Sequence, residues 1–113
     1  METWLKAGVK DFNAVYAHND DMALGAIAAL EEAGLKPGKD ILVVSIDGVR
    51  AAFEAIIAGK LSATVECAPD FGPAVMDAVD QLAAGKTLPR FIPIPPRLIE
   101  RADAEKLLTT RKY

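Results

Sequence analysis

Cysteine and histidine each occur once in the 113 residues, as Cys67 and His18. One cysteine excludes an internal disulfide and a cysteine-built zinc cage, and one histidine excludes a histidine-rich metal site, so no metal is expected. Long apolar runs are also missing. The longest nearly apolar stretch, Ala23 to Leu30, falls far short of the roughly 20 residues that cross a bilayer, so no membrane insertion is expected. Met1 to Gly8 carries charges where a signal peptide needs an apolar run, and the sequence reads as a soluble chain without an export signal. Basic clusters are absent: 13 Lys and Arg stand against 16 Asp and Glu, a net charge of −3. That balance disfavours nucleic acid as a partner of this chain, because neutralising phosphates needs a basic face. The glycines form neither G-x-G-x-x-G nor G-x-x-x-x-G-K-S/T, so no phosphate-cradling loop and no cofactor is expected.

What remains is the balance of one ordinary folded domain. Hydrophobic residues make up 51% and charged residues 26% of the chain, enough for a modest core. Ala14 to Ala17 reads as a short strand leading to the polar cluster His18-Asn19-Asp20-Asp21. Met22, Ala26, Ala29, Leu30 and Ala33 then recur at helical spacing, Asp20 or Asp21 can cap the start, and Gly34 with Pro37 supplies the stop. Ile41 to Ile46 is a continuous, mostly β-branched run of the kind that fills a strand covered on both faces. It ends in Asp47-Gly48 ahead of a helix over Val49 to Ala58 closed by Gly59. Leu61 to Cys67 reads as a third strand broken by Pro69. Phe71, Ala74, Val75, Ala78, Val79 and Leu82 then trace an apolar stripe on a third helix.

Strands separated by helices of this length imply parallel βαβ units in an α/β fold with helices on both faces of the sheet. Functional groups then gather at the carboxyl ends of the strands. Pro89, Pro93, Pro95 and Pro96 confine Phe91 to Ile99 to an edge strand or an extended crossing. A short helix over Ala102 to Leu108 and a frayed Thr109 to Tyr113 complete the reading.

Three polar candidates sit at the strand ends. Asn19 carries an amide that can donate to one hydroxyl and accept from another, which suits polyol recognition; its other reading is a helix cap. Asp47 can accept from two hydroxyls while Gly48 lets the backbone approach a ligand; its other reading is an Asp-Gly turn. Glu66 and Cys67 point to opposite faces of a regular strand, and the simpler reading is a salt-bridged Glu and a buried, small, apolar Cys. His18 beside Asp20 and Asp21 has the form of a general base. The serines, Ser45 and Ser62, both lie inside strands and outside any Gly-x-Ser-x-Gly elbow, so no catalytic residue is assigned.

Val15-Tyr-Ala-His-Asn-Asp-Asp-Met22, Gly25-Ala26, Ser45-Ile-Asp-Gly48 and Gly59-Lys-Leu-Ser-Ala-Thr-Val65 follow one another in an order and spacing that resemble the sugar-binding proteins of bacterial ABC importers. Within that family the chain is similar to the ribose-binding type, and Val65-Glu-Cys-Ala-Pro69 and Phe71-Gly-Pro73 to its galactofuranose-binding relatives. The resemblance runs from about Met1 to Leu108. It implies the C-terminal part of a two-lobed clamshell, beginning inside a helix: a partial three-layer αβα lobe with a parallel sheet. Residues 1–67 would belong to the C-terminal sugar-binding lobe, 68–88 to a hinge crossing and a helix that packs on the N-terminal lobe, and 89–113 to the return crossing, an edge strand and the tail. By the same resemblance Asn19 and Asp47 contact sugar hydroxyls. Ribose binders carry a Gln where this chain has Cys67, which leaves Glu66 as its substitute. The implied partners are a monosaccharide (a pentose, a hexose or a galactofuranose-like sugar) and, in an intact parent, an ABC permease, in a periplasmic location. The strand at Ala14 to Ala17 and the Phe71 to Leu82 stripe would lose their usual cover, so a homo-oligomer is expected. A LacI-type repressor effector domain, which shares this fold, is the alternative.

Overall fold

The computed structural model describes residues 1–113. In chain order its elements are α1 (Glu2–Lys6), β1 (Ala14–Tyr16), α2 (Asp20–Glu32), β2 (Leu42–Asp47), α3 (Arg50–Ile57), β3 (Ala63–Glu66), α4 (Gly72–Ala83), β4 (Leu98–Ile99) and α5 (Arg101–Leu107). The strands form one sheet in the order β1-β2-β3-β4. β1 to β3 run parallel, and β4 joins antiparallel at the edge through Thr64↔Ile99 and Val65↔Leu98. The α/β alternation, the proline-limited edge strand and the short last helix therefore stand as expected. β1 is the other edge and is open.

The sheet order decides which faces are covered. Right-handed crossovers that always step in the same direction, β1 to β2 to β3, place their helices on the same side of the sheet. Val43 and Ser45 of β2, Thr64 of β3 and Ile99 of β4 point to that side and are buried. There they meet Ala23, Ile27 and Leu30 of α2, Phe53 and Ile56 of α3 and Ala104 of α5 in one continuous core. Leu42, Val44 and Leu98, together with Tyr16, alternate to the opposite side and are exposed. β2 is thus covered on one face and not on both. Two of the three layers of the expected architecture are present, because a helix reaches the second face only where the strand order reverses.

Other local expectations are corrected. α2 is capped by Asn19, whose Oδ1 accepts from the Met22 amide at 2.8 Å, and not by Asp20 or Asp21. Cys67 is exposed rather than buried, since the strand has ended before it. Ser62 lies ahead of β3, with its hydroxyl 3.3 Å from the Val43 amide. The tail is not frayed: the backbone oxygen of Tyr113 accepts from the Arg50 amide at 2.7 Å, and Arg111 is held as described below. α4 carries its apolar stripe without a single buried residue. No helix is long and apolar enough to cross a membrane.

The connection into β2 depends on Gly38, which adopts φ +77° and donates its amide to the Ile41 carbonyl at 2.7 Å. A Cβ there would run into the Gly59 carbonyl oxygen, whereas one on Gly59, itself at φ +73°, would meet open space. Gly59→Ala should therefore cost only the left-handed backbone penalty, about 1 kcal/mol, and Gly38→Ala at least about 2 kcal/mol more. Urea unfolding of both variants checks this, and equal losses would mean that the close approach of the two loops is unimportant.

Candidate functional site

Parallel strands bring their carboxyl ends to one edge of the sheet, and three polar segments converge there. Asn19 follows β1, Asp47 closes β2 and Glu66 closes β3, with Asp47 and Glu66 directly in register. Neighbouring strands lie about 4.8 Å apart, so these groups share one rim.

The organising residue of that rim is Asp20, fully buried at the first position of α2. Its Oδ1 accepts from the Ser45 hydroxyl of β2 at 2.5 Å and from the Thr64 hydroxyl of β3 at 2.7 Å. Its Oδ2 accepts from the Gly48 amide at 2.7 Å and the Val49 amide at 2.8 Å. One carboxylate thereby ties the ends of β2 and β3 to the start of α2 and fixes the turn into α3, which has no side-chain cap of its own. Sequence reasoning considered Asp20 only as a cap or as a neighbour of His18. Its position just after the capping Asn19, facing a serine in a strand otherwise made of apolar residues, was the available signal.

Asp47 is the single non-glycine residue with a positive φ, at 132°. Backbone of that kind costs about 1–3 kcal/mol and persists only where its surroundings over-determine it. Here the Cys67 amide donates to the Asp47 carbonyl at 2.9 Å, and the next two amides are held by Asp20. Asp47 and Gly48 both take positive φ in the turn between β2 and α3. The half-buried Asp47 carboxylate makes no hydrogen bond within the chain, and neither does the Asn19 side-chain NH2. Both keep capacity for a ligand at adjacent strand ends.

Glu66 is paired within the chain. Its Oε1 accepts from Arg111 Nη1 at 2.5 Å and its Oε2 lies 3.4 Å from Arg97 Nε. Burial acts to raise its pKa, but the hydrogen bond and charge of Arg111, helped by Arg97, outweigh this and hold the carboxyl below its ordinary value. Tyr113, beside it, is moved upward, first by burial and then by the Glu66 charge, against the opposing effect of Arg111. These groups border an open groove of about 480 Å³ that also includes Asp70 and Thr110. The salt-bridged reading of Glu66 therefore fits the structure. His18 is exposed, packs its ring 5.4 Å from that of Tyr16 and makes no hydrogen bond, while Ser45 donates to Asp20. The two do not form the nucleophile and base of a triad. No cluster of three or more His, Cys, Asp or Glu is arranged to hold a metal ion.

Comparison with known proteins places this geometry. A family model described as a periplasmic binding protein domain matches residues 1–87. A galactofuranose-binding protein of Escherichia coli is 42% identical over 108 residues, which cover 94% of this chain and 34% of that protein. A ribose import binding protein of Bacillus subtilis is 42% identical over 99 residues, 87% of this chain and 31% of the relative. Among solved structures, the periplasmic binding protein component of the arabinose ABC transporter from Shewanella sp. ANA-3, bound to α- and β-L-arabinofuranose, superposes with a TM-score of 0.87 at 42% identity. It covers 98% of this chain and 37% of that one. The chain spans about a third of the length of the curated relatives it matches.

The Asp20 network gives a graded expectation. Asp20→Ala leaves two amides and two hydroxyls without their acceptor and should cost about 3 kcal/mol or more. In Asp20→Asn the remaining oxygen can face the Gly48 and Val49 amides, and the new NH2 can donate to the two hydroxyls, which reverse to accept. That change should cost about 1–2 kcal/mol. Chemical denaturation yields both values, and an Asn variant as damaged as the Ala variant would refute this division of the four bonds.

Proposed function

Because the chain belongs to the periplasmic binding protein domain family, we propose that it is the C-terminal portion of the monosaccharide-binding component of a bacterial sugar ABC importer. The observation that carries this reading is the pairing of two polar groups without a partner in the chain, the Asn19 NH2 and the Asp47 carboxylate, at adjacent strand ends, with Asp47 held in strained backbone by Asp20. A carboxylate and an amide side by side can accept from and donate to neighbouring hydroxyls of a sugar ring. The relatives named for galactofuranose, ribose and arabinose binding support a pentose or hexose as ligand, an ABC permease as partner and a periplasmic location. The same relatives favour transport over a LacI-type repressor, and they are binding proteins rather than enzymes. In this reading residues 1–67 serve the sugar-binding lobe, 68–88 form the hinge crossing with α4, and 89–113 return to the same sheet.

A clamshell binder encloses its sugar between two lobes, and the rim formed by Asn19 and Asp47 is one side of such an enclosure. The chain by itself should bind L-arabinose, D-ribose or D-galactose at millimolar dissociation constants or weaker, with amide shifts concentrated at residues 19 and 47–48. In a full-length parent, Asp47→Ala should weaken binding by about 1–3 kcal/mol, since it strands hydroxyl donors in a desolvated site. Calorimetry on the parent and NMR titration of the chain test the two statements. Unchanged affinity in the Asp47 variant, or micromolar binding by the chain alone, would overturn them.

The open sheet face and the stripe of α4 support self-association. Tyr16, Leu42, Val44 and Leu98 on the sheet and Phe71, Val75, Met76, Val79 and Leu82 on α4 are all exposed. Seating α4 of one copy on the sheet of the other, reciprocally, covers both sets twice around a two-fold axis. About eighteen large apolar side chains then enter the contact, in the range of a standard interface of about 1,600 Å². At roughly 1 kcal/mol each, their burial exceeds the association cost. Light scattering at micromolar concentration should give at least twice 12.0 kDa; a monomer at that concentration would exclude the arrangement.

A further inference from the structure

The C-terminal tail reaches the same rim from the opposite direction. After α5 the chain makes one more helical turn, with the Arg111 amide donating to the Leu107 carbonyl at 3.0 Å. The Arg111 side chain then runs inward until only 9% of it is exposed. Its guanidinium is sandwiched between the Phe53 ring of α3, 4.3 Å away, and the Tyr113 ring, 4.4 Å away. Nη1 donates to Glu66 Oε1 at 2.5 Å and to the Tyr113 hydroxyl oxygen at 2.7 Å. Nη2 lies against Gly48 so closely that a Cβ built there would stand 2.6 Å from it. The backbone oxygen of Tyr113 meanwhile accepts from the Arg50 amide at 2.7 Å, and the Leu108 carbonyl accepts from Arg50 Nη1 at 3.1 Å.

This arrangement is expensive. Nε and Nη2 of Arg111 are buried without a hydrogen-bond partner, and an unsatisfied donor on a buried cation is destabilising. The buried arginine fills the space over Gly48, directly after the strained Asp47, while Asp20 holds the amides of Gly48 and Val49. The turn is fixed on one side by Asp20 and on the other by Arg111 and Tyr113.

We propose that the tail Arg111–Tyr113 is a latch that sets the Asp47–Arg50 turn in its ligand-ready conformation, with Arg111 as the positioning residue. The proposal rests on Asp47 being a sugar contact, and it adds a determinant about sixty residues away in sequence. Arg111 acts through the turn and does not touch the ligand. The planar guanidinium is the required feature, because it alone combines stacking between two rings, an ion pair with Glu66 and an atom placed over Gly48. Lysine keeps the charge and loses the other two.

Amide hydrogen exchange on the full 113-residue chain tests the latch without any sugar. Arg111→Ala, Arg111→Lys and the core control Ile27→Val are compared with the unaltered protein. Expected is exchange at Gly48, Val49 and Arg50 at least tenfold faster in both Arg111 variants, beyond the change at the slowest core amides. Ile27→Val should change these sites only in step with the core. A lysine variant with unaltered protection, or an alanine variant whose losses are uniform across the chain, would overturn the latch. Calorimetry with L-arabinose, D-ribose and D-galactose on a full-length parent gives the second readout: the Arg111 variants should bind at least fivefold more weakly. Accelerated exchange with unchanged affinity would reduce the tail to a structural cover and overturn its positioning role. A parent whose sugar affinity is unchanged by Asp47→Ala would count against Asp47 as the contact, while the exchange data would still decide whether the turn is latched.

Discussion

Everything at the strand-end rim depends on one buried carboxylate. Asp20 accepts four hydrogen bonds, two from hydroxyls on neighbouring strands and two from consecutive amides of the β2–α3 turn. A fully buried carboxylate is costly unless its acceptor sites are filled, and here the donors filling them come from three different parts of the chain. The network is therefore satisfied only when α2, β2, β3 and the turn are in their native places at once. Moving any one of them leaves a group unpaired. This is why the polar rim can be rigid although the loops that form it are short and partly exposed.

The local grammar of the chain was largely legible. Helical spacing from Met22 onward and the apolar run ending at Asp47-Gly48 each produced the element expected, with shifts of a residue or two at the ends, and the prolines left an edge strand only at Leu98–Ile99. Asn19 was readable as a cap because capping is a contact across three residues. Asp20 was not readable in its actual role, since its partners Ser45, Gly48 and Thr64 lie 25, 28 and 44 residues away. No short-range pattern records a contact of that range. The tail failed for the same reason. Thr109 to Tyr113 has the composition of a loose end, and only the fold shows Phe53 and Glu66 waiting to receive Arg111.

The expectation of helices on both faces failed through topology rather than through local pattern. The mostly β-branched run Ile41 to Ile46 reports that a strand can be covered twice, not that it is. Coverage depends on the order in which strands join the sheet, and β1, β2 and β3 join in one direction. The side chains of the second face and the stripe of α4 are both apolar surfaces left exposed.

The same topology explains why the rim is so strongly braced. Asp47 and Asn19 sit at the boundary of the covered side, where the backbone is held by buried groups from below and meets solvent above. A ligand that must order such a boundary loses affinity for each group it immobilises. Strain stored at Asp47 and offset by Asp20 is a cost met during folding, before any ligand arrives. The two groups left without partners inside the chain, the Asp47 carboxylate and the Asn19 NH2, are thus presented already fixed in place. In the proposed reading, sugar hydroxyls arriving there would replace water on groups whose backbone no longer has to be ordered, and the net gain per hydrogen bond would be larger than on a mobile loop.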